Sequence, residues 1–416
     1  MKVLLISQYF WPEEFRINDL AVELKARGLD VTVLTGVPNY PGGEVFSEYR
    51  ARPGDHAAFQ GVPIVRVPLI PRKAGRGRDL ILNYLSFALS ASTLGLWRLR
   101  RERFDVVFVF LGSPAFQALP AAVLKLLRGT PNLLWIQDPW PDTLQAMGAV
   151  RSRAALNLVG AAVNWLYRRS WGLLIQSESY RADVSRRGGS GVRVEYFPNW
   201  ADPSLAAGLE GAVPAPETSG FTDGFTVMFA GNLGEAQDLG AVVEAAALCR
   251  DLPDVRWLLV GEGKARMALQ AQVAELGLQD RVIFLGRHPS TRMPEFFAAA
   301  DVLLVSLADQ PIFAMTVPSK LQSYMAAGKP ILGMLNGEGA RVLTESGAGR
   351  ACPAGDAGGL ARLVRQMREA GATDLAAMGA AGRSYARTHF DKDVLIDRLT
   401  DWMRQATGRQ ALPMDQ

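Results

Sequence analysis

The sequence predicts an α/β protein with two doubly wound, Rossmann-like domains that face a cleft. Two series of short runs rich in Val, Ile and Leu predict this fold, because such runs are typical of parallel strands buried on both faces. Amphipathic helices separate the runs, and a segment rich in Pro and Gly lies between the two series. The 416 residues, 49% of them hydrophobic and 21% charged, suffice for two cores.

The first domain is predicted to occupy residues 1–202. Its strands are expected at residues 3–7, 31–35, 64–67, 106–111, 133–137 and 173–176. The first helix, at 17–27, places Ile17 and Leu24 on one apolar face, and Gly28 ends it. Strands that alternate with helices in this way predict a parallel sheet.

The second domain is predicted at residues 225–386. Its strands are expected at residues 227–230, 257–260, 282–285, 302–305 and 331–335. Residues 203–224 form the predicted linker, because Pro and Gly alternate there with small residues and break regular structure. A last helix, at about residues 387–407, is expected to pack back on the first domain.

Composition excludes several classes of protein. Cys249 and Cys352 are too few for a disulfide framework, and His56, His288 and His389 lie too far apart for a histidine-built metal site. We expect no signal peptide and no uninterrupted apolar run of about 20 residues, the length that spans a bilayer. A reducing cytosol is the simplest setting.

Residues 317–330 contain the most informative pattern. Ser319 stands at a predicted helix N-cap, Gly328 at the left-handed C-terminal position, and Pro330 just beyond it. Free N–H groups at a helix start suit a phosphate, and the hydroxyl of Ser319 and the ammonium of Lys320 add to them. The helix is therefore a predicted site for a nucleotide such as a sugar nucleotide.

Glycines follow two predicted strands of the second domain. Gly231 and Asn232 stand between a strand and a helix, where backbone amides can approach a diphosphate. An ordinary tight turn is the alternative for this loop. The sequence from Gly261 to Arg266 begins like a dinucleotide fingerprint, but Arg266 replaces its third glycine. A nicotinamide cofactor is therefore rejected.

Taken together, these segments resemble glycosyltransferase family 4, the retaining nucleotide-sugar transferases with two Rossmann-like domains (GT-B type). The similar segments are residues 1–6, 197–202, 229–233, 260–263, 284–287 and 317–330. Residues 11–13, 38–43 and 137–142 are most similar to the subgroup of colanic-acid and O-antigen transferases, which build bacterial surface polysaccharide.

The resemblance implies a hexosyl- or N-acetylhexosaminyl-type transferase that uses a nucleotide-diphosphate donor, expected to be UDP-linked. It assigns the departing diphosphate to Lys320, as a catalytic cation, and to the amides at Ser319 and Gly231. Further donor contacts are expected from Asn232, Glu262, Gly263, Arg287, Ser323 and Tyr324. No cofactor and no metal ion are expected, since the D-x-D sequence at residues 391–393 is interpreted as a helix cap.

The chain departs from the family pattern on this helix. The family usually has two glutamates there, and Met315 and Ser323 stand in their register. One serine hydroxyl offers ribose a single contact where a carboxylate offers two. For Tyr324, core packing is the alternative to a donor contact.

Acidic residues and glycines are expected on the acceptor side, in the first domain. Asp138 follows the fifth predicted strand, where it would orient a sugar hydroxyl or act as a catalytic base, and a turn aspartate is the alternative. Glu13, Gly42, Gly43 and Asp142 are expected nearby. An ordinary turn is the alternative for the two glycines.

Charge is unevenly distributed, with an excess of about nine positive charges in residues 1–200. Cationic residues flank the apolar segment 80–89 on both sides. Such a segment suits the anionic inner face of a plasma membrane, whereas a buried helix with solvated ends is the alternative. We expect a cytoplasmic, peripheral membrane protein that acts on a lipid-linked saccharide and binds no nucleic acid.

Two other functions fit the same architecture. One is a sugar-nucleotide epimerase, and the other is a non-catalytic partner that binds a sugar nucleotide. The missing glutamates favour the non-catalytic binding partner, whereas the presence of Ser319 and Lys320 argues against it.

Overall fold

The computed structural model describes residues 1–73, 77–141, 152–201, 205, 209, 211–221 and 223–408. The chain divides into two compact units, Met1–Phe197 with Ile396–Gln416, and Pro198–Leu395. Residues 198–201, expected in the first domain, belong to the second unit, where the amide of Ala201 donates to the carbonyl of Phe390 at 3.0 Å. Part of the predicted linker lies outside the described residues.

The first unit contains an eight-stranded sheet in the order β3-β4-β2-β1-β5-β6-β7-β8. The strands are β1 Lys2–Ile6, β2 Asp30–Gly36, β3 Ala58–Phe59, β4 Val62–Val67, β5 Val106–Leu111, β6 Asn132–Ile136, β7 Gly172–Ile175 and β8 Arg193–Tyr196. Strand β3 is antiparallel to β4, and the other neighbouring pairs are parallel. The six strands from β4 to β7 have the doubly wound order.

The helices of the first unit cover both faces of this sheet, as the crossover connections of parallel strands require. They are Arg16–Ala26, Ser47–Ala51, Gly77–Arg98, Leu119–Arg128, Arg153–Arg168, Arg181–Gly188 and most of Lys392–Ala406. The last helix begins with a side-chain cap, because Asp391 Oδ1 accepts from the amide of Val394 at 3.0 Å.

The helix Gly77–Arg98 is, by length and composition alone, long and apolar enough to cross a membrane. The sequence predicts no uninterrupted apolar run of about 20 residues, and Ser, Asn and Gly do interrupt the apolar residues of this helix. These interruptions add no charge, so the mean hydropathy of the helix window stays at 1.4. Only 28% of that window is buried in the protein, so the helix is not a core helix.

The second unit contains a six-stranded parallel sheet in the order β11-β10-β9-β12-β13-β14. The strands are β9 Phe225–Ala230, β10 Val255–Val260, β11 Val282–Gly286, β12 Val302–Ser306, β13 Ile331–Met334 and β14 Gly349–Cys352. The helices are Leu239–Leu248, Arg266–Glu275, Met293–Ala298, Pro311–Ala314, Ser319–Ala327, Gly337–Glu345 and Ala357–His389.

Both units therefore have the predicted Rossmann-like fold, and that prediction is confirmed. In each sheet the strand order reverses at the centre, between β1 and β5 and between β9 and β12. Loops leave such a pair of strands in opposite directions, and the crevice at their carboxyl ends is where ligands bind in this class of fold. In the second unit Gly231 follows β9, and the helix Ser319–Ala327 comes between β12 and β13.

Candidate functional site

The start of the helix Ser319–Ala327 lies against the loop that follows β9. A Cβ atom built on Gly231 would lie 2.3 Å from Lys320 Cε and 2.9 Å from Lys320 Nζ. Gly231 also has a φ of 146°, a conformation that other residues rarely adopt. The structure thus brings together the two predicted phosphate-binding features, the glycine loop and the lysine.

The ammonium of Lys320 has a defined environment. Its Nζ donates a hydrogen bond to Gln237 Oε1 at 3.0 Å and lies 4.8 Å from the centre of the Phe229 ring. Burial lowers the pKa of Lys320 to about 8, because desolvation disfavours the charged form. Within the described part of the chain no carboxylate forms an ion pair with this ammonium. A half-buried cation in this state is stabilised by an incoming anion.

The helix begins one residue earlier than predicted. Pro318 occupies the N-cap with an extended backbone, and Ser319 is the first helical residue, so the prediction of Ser319 as the N-cap is wrong. Proline suits this position because it loses no amide bond there. The amide of Leu321 donates to the carbonyl of Pro318 at 2.9 Å, and the amides of Ser319 and Lys320 precede this first bond of the helix.

Neighbouring loops of the second unit are joined by backbone hydrogen bonds. The amide of Gly231 donates to the carbonyl of Val260 at 2.8 Å, and the amide of Gly261 donates to the carbonyl of Gly286 at 2.7 Å. A Cβ atom on Gly261 would lie 1.8 Å from the Gly231 oxygen, so only glycine allows this approach. The bonds fix the three loops at the carboxyl edge of β9, β10 and β11.

The other predicted donor-side residues lie on these loops. Asn232, Glu262 and Arg287 are exposed there. The Glu262 carboxylate forms an ion pair with Arg266, the residue that replaces the third glycine of a dinucleotide fingerprint. A Cβ atom on Gly263 would lie 2.2 Å from a backbone oxygen, so close packing explains this glycine.

Tyr324 lies in the core of the second unit. Its ring is 1% exposed and packs edge-on against Phe297. Its hydroxyl donates to the carbonyl of Ala230 at 3.1 Å and accepts from the amide of Ala230 at 3.0 Å. The structure thus corrects the expectation of a donor contact: Tyr324 holds the helix against the end of β9. Ser323, one residue earlier, is partly exposed.

Gln237 is a site residue that the sequence analysis missed. It stands among Glu235, Ala236 and Asp238, just before the helix Leu239–Leu248. Its Oε1 is the only hydrogen-bond acceptor of Lys320 Nζ among the described residues. The signal in the sequence was its place directly after the glycine loop.

In the first unit, Glu13 ties two loops together and is itself buried. Its Oε1 accepts from the amides of Asn39 and Tyr40, both at 2.8 Å, and its Oε2 accepts from the amide of Phe10 at 3.1 Å. Burial raises the pKa of Glu13 to about 7, although these three hydrogen bonds and Arg66 oppose the shift. Glu13 therefore positions the loop after β2 rather than presenting a free carboxylate.

The two predicted acceptor-side glycines differ. Gly42 is exposed, and a Cβ atom there would meet nothing within 4 Å. Gly43 is buried with a φ of 83°, and a Cβ atom there would lie 1.7 Å from the carbonyl oxygen of Lys73. The backbone amide of Lys73 also donates a hydrogen bond to the carbonyl of Gly43 at 2.8 Å. Gly43 is thus required by backbone packing.

Asp138 lies at the carboxyl end of β6. Its Oδ2 accepts from Ser113 Oγ at 3.0 Å, and Ser113 Oγ accepts from Trp140 Nε1 at 3.2 Å. Burial raises the pKa of Asp138, and the hydrogen bonds from Ser113 oppose that shift. A carboxyl group with a raised pKa at a strand end suits proton exchange with a sugar hydroxyl. Asp142 lies outside the described residues.

A buried polar network beneath this edge also escaped the sequence analysis. Gln8 Nε2 donates to Asn83 Oδ1 at 2.6 Å, and Asn83 Nδ2 donates to the carbonyl of Ile70 at 2.7 Å. The amide of Gln8 donates to Gln117 Oε1 at 2.9 Å. These bonds join the ends of β1 and β4 to the helix Gly77–Arg98 and to the 3-10 turn Ala115–Ala118, which precedes the helix Leu119–Arg128. Among the described residues no group of three or more His, Cys, Asp or Glu side chains could hold a metal ion.

Two family models match the chain in the same order as its two units. The model described as "Glycosyl transferase 4-like domain" matches residues 14–200, and the model described as "Glycosyl transferases group 1" matches residues 224–369. The chain belongs to the family 4 glycosyltransferases. This assignment confirms the resemblance, and it makes the chain a glycosyltransferase.

Individual relatives of this glycosyltransferase have low sequence identity to it, but the similarity extends over most of each chain. It is 26% identical over 315 residues to the probable glycosyltransferase WbjE of Pseudomonas aeruginosa, covering 73% of this chain and 76% of the relative. It is 29% identical to the 2-deoxystreptamine glucosyltransferase of Streptomyces kanamyceticus, covering 65% and 69%. It is 27% identical to the putative colanic acid biosynthesis glycosyl transferase WcaI of Escherichia coli K12, covering 79% and 82%.

A solved structure agrees with the fold of the glycosyltransferase. The crystal structure of Anabaena HepE in complex with UDP superposes with a TM-score of 0.70. The match covers 97% of this chain and 100% of HepE, at 16% sequence identity. At that identity the likeness shows the fold alone.

Proposed function

We propose that this transferase moves a sugar from a UDP-linked donor to a lipid-linked saccharide, with retention of the anomeric configuration. The second unit would bind the donor and the first unit the acceptor. The reaction would take place on the cytoplasmic face of the bacterial plasma membrane, in the synthesis of surface polysaccharide. The observation that carries the proposal is the position of Lys320 over the backbone of Gly231.

The donor site is supported by the arrangement of charge in the second unit. Lys320 supplies a half-buried cation at the start of a helix, where the helix dipole also favours an anion. The exposed guanidinium of Arg287 follows β11 at the same edge of the sheet. HepE, whose fold is similar, was crystallised with UDP. A diphosphate therefore suits this edge better than an uncharged ligand does.

Stabilising the leaving diphosphate is the main chemical task. The bond between the anomeric carbon and the phosphate oxygen breaks, and the electron pair leaves with the diphosphate. The acceptor oxygen bonds to the anomeric carbon, and its proton passes to a phosphate oxygen of the leaving group. Lys320 and the amides around it would stabilise the developing negative charge, and this kind of contribution is often the largest in catalysis.

The acceptor side is supported by the surroundings of Asp138. Its carboxyl group accepts a hydrogen bond from Ser113 and lies near the hydroxyls of Tyr84 and Tyr180. Burial raises the pKa values of both tyrosines, and the charge of Asp138 adds to that shift. Hydroxyls and a carboxyl group together suit the hydrogen-bonding groups of a saccharide. The colanic acid relative favours a surface polysaccharide as product, whereas the 2-deoxystreptamine relative favours a small soluble acceptor.

The proposal is tested by two linked experiments on the full chain. A panel of nucleotide sugars is first scanned by thermal shift, since a ligand that binds only the folded state raises the Tm. The best donor, with its sugar radiolabelled, is then incubated with bacterial membranes, and label in the lipid fraction is counted. We expect donor-dependent labelling of lipid, and the anomeric configuration of the released product is read by NMR.

The alternatives give different results in the same experiments. An epimerase would convert the donor sugar into an isomer without any acceptor. A non-catalytic binding partner would raise its Tm with donor but label no fraction. Transfer to a soluble aminocyclitol, with an unlabelled lipid fraction, would contradict the lipid-linked acceptor.

A further inference from the structure

One face of the first unit exposes an apolar stripe along the helix Gly77–Arg98. Ile81, Leu82, Leu85 and Leu89 are between 43% and 66% exposed. At 3.6 residues per turn they fall within about 100° of the helix circumference. The side chains that this helix buries, such as Phe87, lie on the other side. Four adjacent exposed aliphatic side chains form a patch of the kind that marks an interaction surface.

A group of arginines lies beyond the C-terminal end of this helix. Arg100, Arg101, Arg103 and Arg128 line a cavity of about 580 Å³, and we call this group the arginine pocket. The pocket precedes β5 and β6, so it lies at the amino edge of the sheet. Asp138, at the carboxyl end of β6, lies at the opposite edge, so the pocket is distinct from the candidate acceptor site.

Contacts join the C-terminal end of the helix to the arginine pocket. The Arg100 guanidinium lies 4.1 Å from the centre of the Trp97 ring, and its Nη1 donates to the carbonyl of Trp97 at 2.9 Å. Arg128 donates to the carbonyls of Glu102 at 2.6 Å and Arg100 at 2.8 Å. Trp97 is itself 59% exposed. Leu126 and Leu127, next to Arg128, are 62% and 74% exposed.

The charge of the arginine pocket is not neutralised. Within the described part of the chain, none of its four guanidinium groups forms an ion pair with a carboxylate. The nearby Glu102 pairs instead with Lys2, at 2.6 Å. Exposed cations beside exposed leucines and a tryptophan are the composition of a surface that lies on an anionic bilayer. The occupant must therefore offer both phosphate oxygens and hydrocarbon.

We propose that the arginine pocket binds the phosphate of an anionic phospholipid while the stripe and Trp97 enter the hydrocarbon boundary of the same bilayer. This inference rests on the proposed membrane-surface function and names the surface and the lipid chemistry. The helix is about 33 Å long, at 1.5 Å per residue. Near its first half, the Tyr84 ring lies 6.2 Å from that of Trp140, beside Asp138. A helix lying in the bilayer surface thus extends from the arginine pocket towards the candidate acceptor site.

The test measures vesicle binding of the full chain. Co-sedimentation is measured with phosphatidylcholine vesicles, with and without phosphatidylglycerol. The variant Arg101→Gln/Arg103→Gln removes two charges from the pocket without touching the candidate catalytic residues. Its matched control, Arg350→Gln/Arg398→Gln, removes two exposed charges elsewhere in the chain, which also form no ion pair with a carboxylate among the described residues. Each arginine near an anionic surface contributes about 1 kcal/mol, so we expect the pocket variant to bind phosphatidylglycerol vesicles about 10- to 30-fold more weakly.

The outcomes separate this inference from the proposed function. Equal binding by the pocket variant and the wild type, or equal binding to both kinds of vesicle, would overturn the inference. A variant Leu85→Ser/Leu89→Ser should also lose vesicle binding, while its far-UV CD spectrum and UDP affinity should match the wild type. Transfer to a detergent-solubilised acceptor reports the proposed function alone, and we expect it to be unchanged in the pocket variant.

Discussion

The side chain of Lys320 packs against the backbone of Gly231. A Cβ atom added to Gly231 would lie only 2.3 Å from Lys320 Cε, too close for the two atoms to coexist. The relationship joins the loop after β9 to the first turn of the helix Ser319–Ala327. A lysine side chain is flexible, so an alanine at position 231 would displace it without breaking the fold. The glycine thus determines where the cation lies.

Replacing Gly231 with alanine should therefore weaken donor binding as well as folding. The positive φ of 146° adds backbone strain of about 1–3 kcal/mol. The displaced ammonium should weaken UDP binding at least about 10-fold, the lower value for loss of a charged hydrogen bond. Both quantities are measured, by calorimetry and by urea unfolding. Gly240→Ala is the control, since its Cβ would make an ordinary contact at 3.5 Å in a helix.

Donor affinity should fall as the pH rises through about 8. Burial lowers the pKa of Lys320 to about 8 in the free protein, and the neutral amine that forms above this pH attracts a diphosphate weakly. UDP affinity is measured from about pH 7 to about pH 9.5, and Lys320→Arg is the control because arginine stays charged over this range. If the wild type and Lys320→Arg lose affinity in parallel, the titrating group is not Lys320.

The same titration has the opposite effect on folding. The unfolded chain holds the Lys320 proton up to its ordinary pKa of 10.5, whereas the folded chain releases it near pH 8. Between these values the unfolded state binds more protons, so this residue makes the free energy of unfolding increase with pH. Its contribution is identified by comparing the pH dependence of the wild type with that of Lys320→Met.

Tyr324→Phe should destabilise the second unit. The hydroxyl satisfies both the amide and the carbonyl of Ala230, at 3.0 and 3.1 Å, in a buried position. Removing it leaves these groups without that partner, at a cost of about 1–3 kcal/mol in the free energy of unfolding. UDP affinity below the new unfolding transition should stay close to that of the wild type. A large loss of affinity with unchanged stability would instead support the original expectation that Tyr324 contacts the donor.

Glu13→Gln should change how stability depends on pH. The folded-state pKa of Glu13 is about 7, against an ordinary value of 4.5, because burial disfavours its charge. Between these two values the folded state binds more protons, so the stability contributed by Glu13 is greatest at low pH and falls as the pH rises to about 7. The glutamine variant lacks this slope. In this variant the side-chain NH2 group takes the position of Oε2 and faces the amide of Phe10, so two donors oppose each other. The loss of this hydrogen bond should lower the free energy of unfolding by about 1–3 kcal/mol.

Thermal unfolding between about pH 4.5 and pH 8 checks the prediction for Glu13. The Tm difference between the wild type and Glu13→Gln should shrink as the pH rises. A difference that stays constant over the whole range would show that Glu13 keeps its ordinary pKa, so that the three hydrogen bonds and Arg66 offset its burial completely.

The sequence predicted a feature correctly where a residue type has a single common structural role. Continuous apolar runs predicted the central strands, but β3, β8 and β14 escaped because edge strands need few apolar residues, as Arg193–Tyr196 shows. Gly231 and Lys320 could be predicted separately. Their contact could not, since it depends on how two distant segments pack.

Side chains with two possible roles could not be resolved from the sequence. Tyr324 and Glu13 both stand in segments that resemble the family, yet each forms its hydrogen bonds with backbone groups inside its own unit. Whether a polar atom faces a ligand or a buried amide depends on burial, which the residue type does not reveal. Gln237 was missed for the opposite reason, because a lone glutamine has no characteristic pattern.

The most direct test compares UDP with uridine in calorimetric titrations of the wild type, Lys320→Ala and Lys264→Ala. Lys264 is an exposed lysine on a neighbouring loop and serves as the charge-matched control. The account predicts that Lys320→Ala binds UDP about 10- to 100-fold more weakly, the range for loss of a hydrogen bond to a charged group, while uridine affinity is unchanged. Lys264→Ala should bind both ligands like the wild type. If Lys320→Ala binds UDP as tightly as the wild type, the helix Ser319–Ala327 does not hold the donor diphosphate.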